Sequence, residues 1–216
     1  MSFDLQLVES LTPCLIAAGH KVFQFHRFAD TESSHVARLE RWAEFPRDAK
    51  VIDLGCGTGE VARLMAGFRP DISFTLVNIS PVQLLYADKD MPAHCISFLN
   101  VPEDAAAFDG AMFCFSIGHE DLGESLKEAA RLLKKNGVLF IQDMALCSGD
   151  ARNLAALSYE VSDRAEMESK AESAGFRLDL YCEPQDDGRY GNEVLGKSFN
   201  DLTAGTIPAV WRFKKC

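Results

Sequence analysis

Gly55, Gly57 and Gly59 fall within five residues of the stretch "VIDLGCGTGEVARL", directly after the apolar run that ends at Leu54. Glycine inside a regular element costs roughly 0.5–1 kcal/mol against alanine. Such a cluster is tolerated where the backbone turns tightly or approaches a ligand closely. From Lys50 onward, short β-branched runs alternate with helical patterns: "KVIDL" then "EVARLMAG", "SFTLVNI" then "SPVQLLYADK", "HCISFLN", then "GAMFCFSI", "ESLKEAARLLKK" and "GVLFIQDM". Continuously apolar strands alternating with helices imply βαβ units and a parallel sheet covered on both faces. The glycine turn after the first strand then lies at the carboxyl edge, where ligands meet helix N-termini.

The punctuation agrees. Ser80 reads as an N-cap with Pro81 at the first helical position. In "ESLKEAARLLKK", Leu126, Ala129, Ala130 and Leu133 share one face, and Asn136-Gly137 supplies a left-handed stop. After Met144 a looser segment leads to the helix "DRAEMESKAESAG", the strand "FRLDLY", a Gly/Asp-rich stretch and a last strand, "PAVWRF". Before Lys50 the pattern is helical, with Leu5, Val8 and Leu11 and then Val36, Leu39 and Trp42 at helical spacing, ended by Phe45-Pro46. The chain therefore divides into an N-terminal helical lid, residues 1–49, and a main α/β unit, residues 50–216.

Charge and cysteine usage narrow the class. The net charge of −10 repels phosphate backbones, and "LLKKNG" and "WRFKKC" are too small for a duplex footprint. Nucleic acid is thus the weaker partner reading. The seven cysteines are scattered with no CxxC pair, which reads as reduced thiols and no metal site. No apolar run approaches the roughly 20 residues a membrane span needs. The opening "MSFDLQLVES" carries acids where a signal peptide has bases, so the expected location is cytoplasmic.

A dinucleotide loop shows G-x-G-x-x-G; here the spacing is G-x-G-x-G after Asp53, a residue that suits a ligand with a cationic amine. "VIDLGCGTGE" resembles motif I of the class I S-adenosylmethionine (SAM)-dependent methyltransferases. "FDGAMFCFSIGHED" is similar to the family's fourth-strand motif, and "EAARLLKKNGVLFIQDM" to its "RxLKPGGxLxxxD" segment, with Lys135-Asn136 in place of Pro-Gly. The resemblance implies a Rossmann-like, doubly wound, seven-stranded and mostly parallel α/β sheet, with SAM as cofactor. It places Gly55, Cys56, Gly57 and Gly59 against the methionine part of SAM. Asp53 would orient the amine directly or through a water, or serve only as a helix N-cap partner.

In the family an acidic residue ends the second strand and takes both ribose hydroxyls; here Asn78 stands there, able to accept through its carbonyl but without charge assistance. Asn78→Asp is accordingly expected to hold or tighten SAM affinity. Ile79 would pack on adenine, Asn100 would meet its exocyclic amine or belong to a plain loop, and Val101 would offer its backbone N–H. Ser116, at the end of the fourth strand, joins this cofactor set.

Methyl transfer asks mainly for proximity and alignment, and for a base only where the acceptor must lose a proton. After the fourth strand there is neither an N/D-P-P-Y/F motif nor a Pro-Cys nucleophile motif, so the amino-methylating and cytosine-C5 DNA classes are disfavoured. In "SIGHED", His119 is the first candidate base or acceptor-orienting group and Glu120 the second. The competing role for His119 is packing under the cofactor with a bond to a backbone carbonyl. Phe23, Phe25 and Phe28, with His26 and Arg27, form a lid wall or pack in the core, and Tyr181–Tyr190 would supply another wall. The implied function is C- or O-methylation of a small organic acceptor by a monomer or homodimer. The alternatives are a noncatalytic SAM-binding partner subunit and a protein or RNA methyltransferase.

Overall fold

In the computed structural model of the chain, residues 5–24, 26–148, 154, 158–186, 201 and 203–216 are described. Period-two alternation sorts the central strands into two layers. In β1 (Lys50–Leu54), β4 (Phe108–Cys114) and β5 (Leu133–Leu146), the residues Ile52, Leu54, Phe113, Leu139 and Ile141 pack with Leu126, Ala129 and Leu132 of α5 (Leu122–Leu132) and Met167 of α6 (Arg164–Ser173). Their neighbours Val51, Met112, Val138 and Phe140 pack instead with Leu39 of α2 (Glu32–Ala43) and Val61 and Met65 of α3 (Glu60–Phe68).

With β2 (Ser73–Asn78), β3 (Ala93–Cys95), β6 (Phe176–Cys182) and β7 (Thr206–Lys215), these strands form a seven-stranded sheet in the order β3-β2-β1-β4-β5-β7-β6. All pairings are parallel except those of β7, which runs antiparallel to β5 and to β6. The order reverses between β1 and β4. Their carboxyl ends therefore open a crevice, and Asp53, Gly55 and Ser116 stand on its rim.

Three expectations need correction. "HCISFLN" is extended only over Ala93–Cys95, because the Ser97 hydroxyl accepts the Leu99 N–H at 3.2 Å and caps a 3₁₀ turn over Phe98–Asn100. The helix expected over "SPVQLLYADK" keeps its Ser80 cap but spans only Pro81–Leu84, here α4. Helix α5 stops at Leu132 rather than near Asn136, since fully buried Leu133 is already extended and pairs with Phe108; Asn136, at φ 62°, turns the chain before the main pairing resumes at Val138.

Residues before β1 fold back over the sheet edge. After α1 (Leu5–Ala17), a strap over residues 20–28 is tied to the first turn of α2 by one carboxylate: Glu32 accepts the Lys21 N–H at 2.9 Å, the Val22 N–H at 3.1 Å and the Arg27 guanidinium at 3.0 Å. A second tie is His35, whose Nδ1 accepts the Phe28 N–H at 3.1 Å. That leaves Nε2 to donate to Gln24 Oε1 at 2.5 Å. Phe23 is half-buried and Phe28 packs on the His35 and Trp42 rings, as core residues do; Phe25 lies outside the described residues, as do residues 187–190 of the wall expected after β6.

Burial, reinforced by the Arg27 charge, lowers the His35 pKa to about 3. The unfolded chain binds the proton near pH 6.5, so this neutral histidine contributes stability that is present above about pH 6.5 and is lost as pH falls toward 3. Denaturant midpoints measured across that window should decline less steeply for His35→Asn than for the parent.

Candidate active site

The glycine loop is held from both sides. The Gly55 and Cys56 N–H groups donate to the Val77 carbonyl of β2 at 2.8 and 2.9 Å, and the Ser116 hydroxyl donates to the Leu54 carbonyl at 2.6 Å. The strap closes over it, with the Thr58 hydroxyl donating to the Lys21 carbonyl at 2.7 Å. The glycines are not equivalent. A Cβ on Gly55 would lie 2.4 Å from Ser116 Cβ, and one on Gly59 2.8 Å from a Leu76 methyl. At Gly57, with φ +57°, a Cβ would meet nothing within 4 Å. Gly55 and Gly59 are needed for packing within the protein; Gly57 alone of the three faces open space.

Asp53 ends β1 at 1% exposure, and neither carboxylate oxygen has a hydrogen-bond partner among the described residues. Burial alone raises its pKa to about 8. A buried carboxyl without a donor is costly, and its geometry suits an incoming cationic group with N–H donors. Cys56 is also buried; its thiol is pushed up by burial and then by the Asp53 charge, and it contacts the Gly57 carbonyl at 3.6 Å.

The remaining cofactor candidates are divided by the structure. Asn78, 8% exposed, donates through Nδ2 to the Gly57 carbonyl at 3.0 Å and to Gln83 Oε1 at 2.8 Å. Its amide braces the loop, and only Oδ1 is left to accept from a ligand. Ile79 is 43% exposed at the edge of this region and Asn100 is exposed at the end of the 3₁₀ turn. Val101 is corrected: its N–H donates to Glu128 Oε1 at 3.3 Å and its carbonyl accepts Arg131 at 3.0 Å, so its backbone serves the protein. Ser116 is corrected likewise, because its buried hydroxyl is spent on Leu54 and positions the loop.

His119 lies in the 3₁₀ turn Ile117–His119, with its ring edge against Tyr159 at 4.7 Å between centroids. Burial lowers its pKa to about 4, opposed by a backbone hydrogen bond with Ser158. That is well below the range a base working at neutral pH needs. Gly118 is present because a Cβ there would lie 2.3 Å from the Glu160 carbonyl and 2.5 Å from the Tyr159 ring. Glu120 accepts the Ser97 hydroxyl at 3.0 Å.

Two groups outside the candidate set, and His26 of the expected lid wall, also gather at this edge. Asp143 of β5 accepts the Tyr159 hydroxyl and its own neighbour's N–H, from Met144, at 2.7 Å; burial still raises its pKa to about 7. Gln142, fully buried, has no partner for either polar side-chain atom among the described residues. The available signal was the pair of polar residues at the carboxyl end of the apolar run "VLFIQDM". Third, His26 Nδ1 lies 2.7 Å from Asp186 Oδ2, with side-chain exposures of 8% and 2%, and its ring is 5.9 Å from that of Phe115. No group of metal-ligating residues and no helix long and apolar enough to cross a membrane occurs among the described residues.

The comparisons agree with this geometry. A demethylmenaquinone methyltransferase of Chlorobaculum tepidum is 34% identical over 110 residues, 48% of this chain and 44% of that protein. A ribosomal RNA-processing protein 8 of Caenorhabditis briggsae is 30% identical over 126 residues, 56% of this chain and 35% of that one. The matched stretch thus spans less than half of either relative. Among solved structures, the cyclase SpnF superposes with a TM-score of 0.79 at 17% identity, over 97% of this chain and 94% of that one, a likeness of fold. Residues 24–178 match the methyltransferase-domain family, most of the chain, from the strap through α6 into β6. With Asp53 and the glycine loop at the carboxyl edge of a sheet in this strand order, the chain belongs to the class I SAM-dependent methyltransferases.

Proposed function

We propose that this chain transfers a methyl group from SAM to a small organic acceptor at oxygen or carbon, with residues 1–49 acting as a lid over the main unit, residues 50–216. The observation that carries the reading is Asp53: a buried carboxyl without a donor among the described residues, beside a loop whose central glycine faces open space. Bound SAM supplies an electrophilic methyl on a sulfonium. Asp53 would take the methionine ammonium, Gly57 would leave room for the donor to approach the backbone, and Asn78 Oδ1 would accept from a ribose hydroxyl. The likeness to a demethylmenaquinone methyltransferase favours an apolar small acceptor. Likeness to a ribosomal RNA-processing protein supports RNA as a second reading, against which stands the net charge of −10. Calorimetry with SAM and S-adenosylhomocysteine tests the donor site; transfer of label from methyl-tritiated SAM to a small-molecule extract or to ribosomal RNA separates the two acceptor classes.

Asp53 ties affinity to pH. Its carboxyl is largely protonated at pH 7 without ligand, and ionises against a cation. SAM binding at pH 7 should release close to one proton, measured by calorimetry in buffers of different ionisation enthalpy, and affinity should rise until about pH 8.

Gly57→Ala puts an L side chain at φ +57°, a strain of roughly 1–2 kcal/mol, and fills the space over the loop. Its Tm should fall by a few degrees while SAM affinity falls at least tenfold. Gly55→Ala should lose more stability, because its Cβ overlaps Ser116.

Asn78→Asp should weaken SAM binding, reversing the expectation from sequence. A carboxylate cannot donate to the Gly57 carbonyl, and two bonds of about 1 kcal/mol each are lost. Calorimetry should show a loss of about tenfold, with a lower Tm.

A further inference from the structure

We propose that Gln24 of the strap receives the carboxylate of SAM's methionine part through its side-chain N–H groups, and that His35 positions it. This deepens the methyltransferase reading and rests on it. One hydrogen bond fixes which way the amide points. His35 Nδ1 accepts the Phe28 N–H at 3.1 Å, so the ring proton is on Nε2 and is donated to Gln24 Oε1 at 2.5 Å. The oxygen end of the amide is thus occupied, and Nε2 is the end turned away from His35. Gln24 is 7% exposed, and its Nε2 has no hydrogen-bond partner among the described residues. A buried N–H donor left unmatched is costly, and an acceptor on a ligand removes that cost.

The strap carries this donor to the glycine loop. Val22, Gln24, His26 and Phe28 are buried, whereas Lys21 is exposed and Phe23 and Arg27 are half-buried, the period-two alternation of an extended segment with one face inward. On one side of Gln24, the Lys21 carbonyl accepts the Thr58 hydroxyl of the glycine loop at 2.7 Å. On the other, the His26 ring lies 5.9 Å from that of Phe115, the residue after β4. Gln24 therefore sits between an anchor on the loop after β1 and an anchor at the end of β4, the two strand ends that open the crevice. Val22 and Phe28, also on the inner face, pack in the same layer as Val51 and Cys56. Asp53, two residues after Val51 in β1, shares that face.

The ammonium and the carboxylate of a methionine group sit on one carbon. A ligand whose ammonium meets Asp53 brings its carboxylate into the same neighbourhood, where it needs a donor. Gln24 Nε2 is such a donor, and a hydrogen bond to an ionised acceptor is among the stronger kinds. Gln142 is a second buried amide without partners, but it stands on β5, with β4 between it and Asp53. At about 4.8 Å per strand, that is roughly 10 Å across the sheet.

Decarboxylated SAM isolates the contact, since it keeps the ammonium and the sulfonium and lacks only the carboxylate. Calorimetry on the full chain gives the ratio of the affinities for SAM and for decarboxylated SAM. Disruption of the strap would weaken both ligands and leave that ratio unchanged. In Gln24→Met the ratio should fall about tenfold, with affinity for decarboxylated SAM within a few-fold of the parent's. Gln24→Glu keeps an acceptor for His35 Nε2–H and puts an acid where the donor stood, so the ratio should fall further. His35→Leu, which lets the amide turn, should lower it several-fold, and a parental ratio there would overturn the positioning role. A parental ratio in either Gln24 variant would overturn the assignment and leave the methyltransferase reading standing. So would a ratio that moves in Gln142→Leu instead, which would put the carboxylate over β5. Failure of the parent to bind SAM and S-adenosylhomocysteine would overturn that reading, and the assignment with it.

Discussion

Asp53 stands at the carboxyl end of β1 with both oxygens buried and no hydrogen-bond partner among the described residues, and burial keeps its proton on up to about pH 8. The surrounding edge has the same character. The Cys114 thiol, at the end of β4, is pushed up by burial and then by the charges of Asp53 and Asp143, so the carboxyl ends of β1, β4 and β5 share one electrostatic neighbourhood. Without ligand, each of these groups favours its neutral form. A cation brought to this edge would favour the ionised form of the carboxyl nearest to it.

Holding that edge in shape is the work of groups that touch no ligand. Ser116 joins the end of β4 to Leu54, Val77 accepts two N–H groups of the glycine loop, and Asn78 reaches back to Gly57. These bonds draw on three neighbouring strands, so the loop's conformation follows from strand register rather than from glycine content alone. The Thr58 hydroxyl and the Lys21 carbonyl tie the strap to the same loop directly. Glu32 holds three donors of the strap with a single carboxylate, and that concentrates the strap's attachment at the first turn of α2.

The parallel sheet covered on both faces and the glycine turn were legible in the sequence, because the alternation of apolar runs with helical patterns and the glycine spacing are local signals that tertiary packing reinforces. Boundaries were less so. The Ser97 cap shortened β3, and burial of Leu133 ended α5 early, both decided by side chains whose partners lie elsewhere in the fold. Asp53 and Gly57 stand at the carboxyl edge of the sheet, Asp53 buried and Gly57 facing open space. Ser116 and Val101 occupy the expected places, but their hydrogen bonds go to Leu54 and Glu128, choices that spacing along the chain cannot reveal. Asn78 reads as a weakened ribose acceptor in sequence and as a brace for Gly57 in space.

Three histidines near this edge differ in what their rings face. Burial takes basicity from any imidazole, and what the protein returns depends on the partner. His35 receives a side-chain amide and a backbone N–H, both neutral, and its pKa falls to about 3. His119 receives a bond with the Ser158 backbone and the edge of a phenol ring, and its pKa falls to about 4. Only His26, of these, faces a carboxylate, and that carboxylate arrives from the other end of the chain. Proximity to a strand end singled out His119 in the sequence. In the folded chain each ring meets a different group, and the identity of that group is a property of the closed fold.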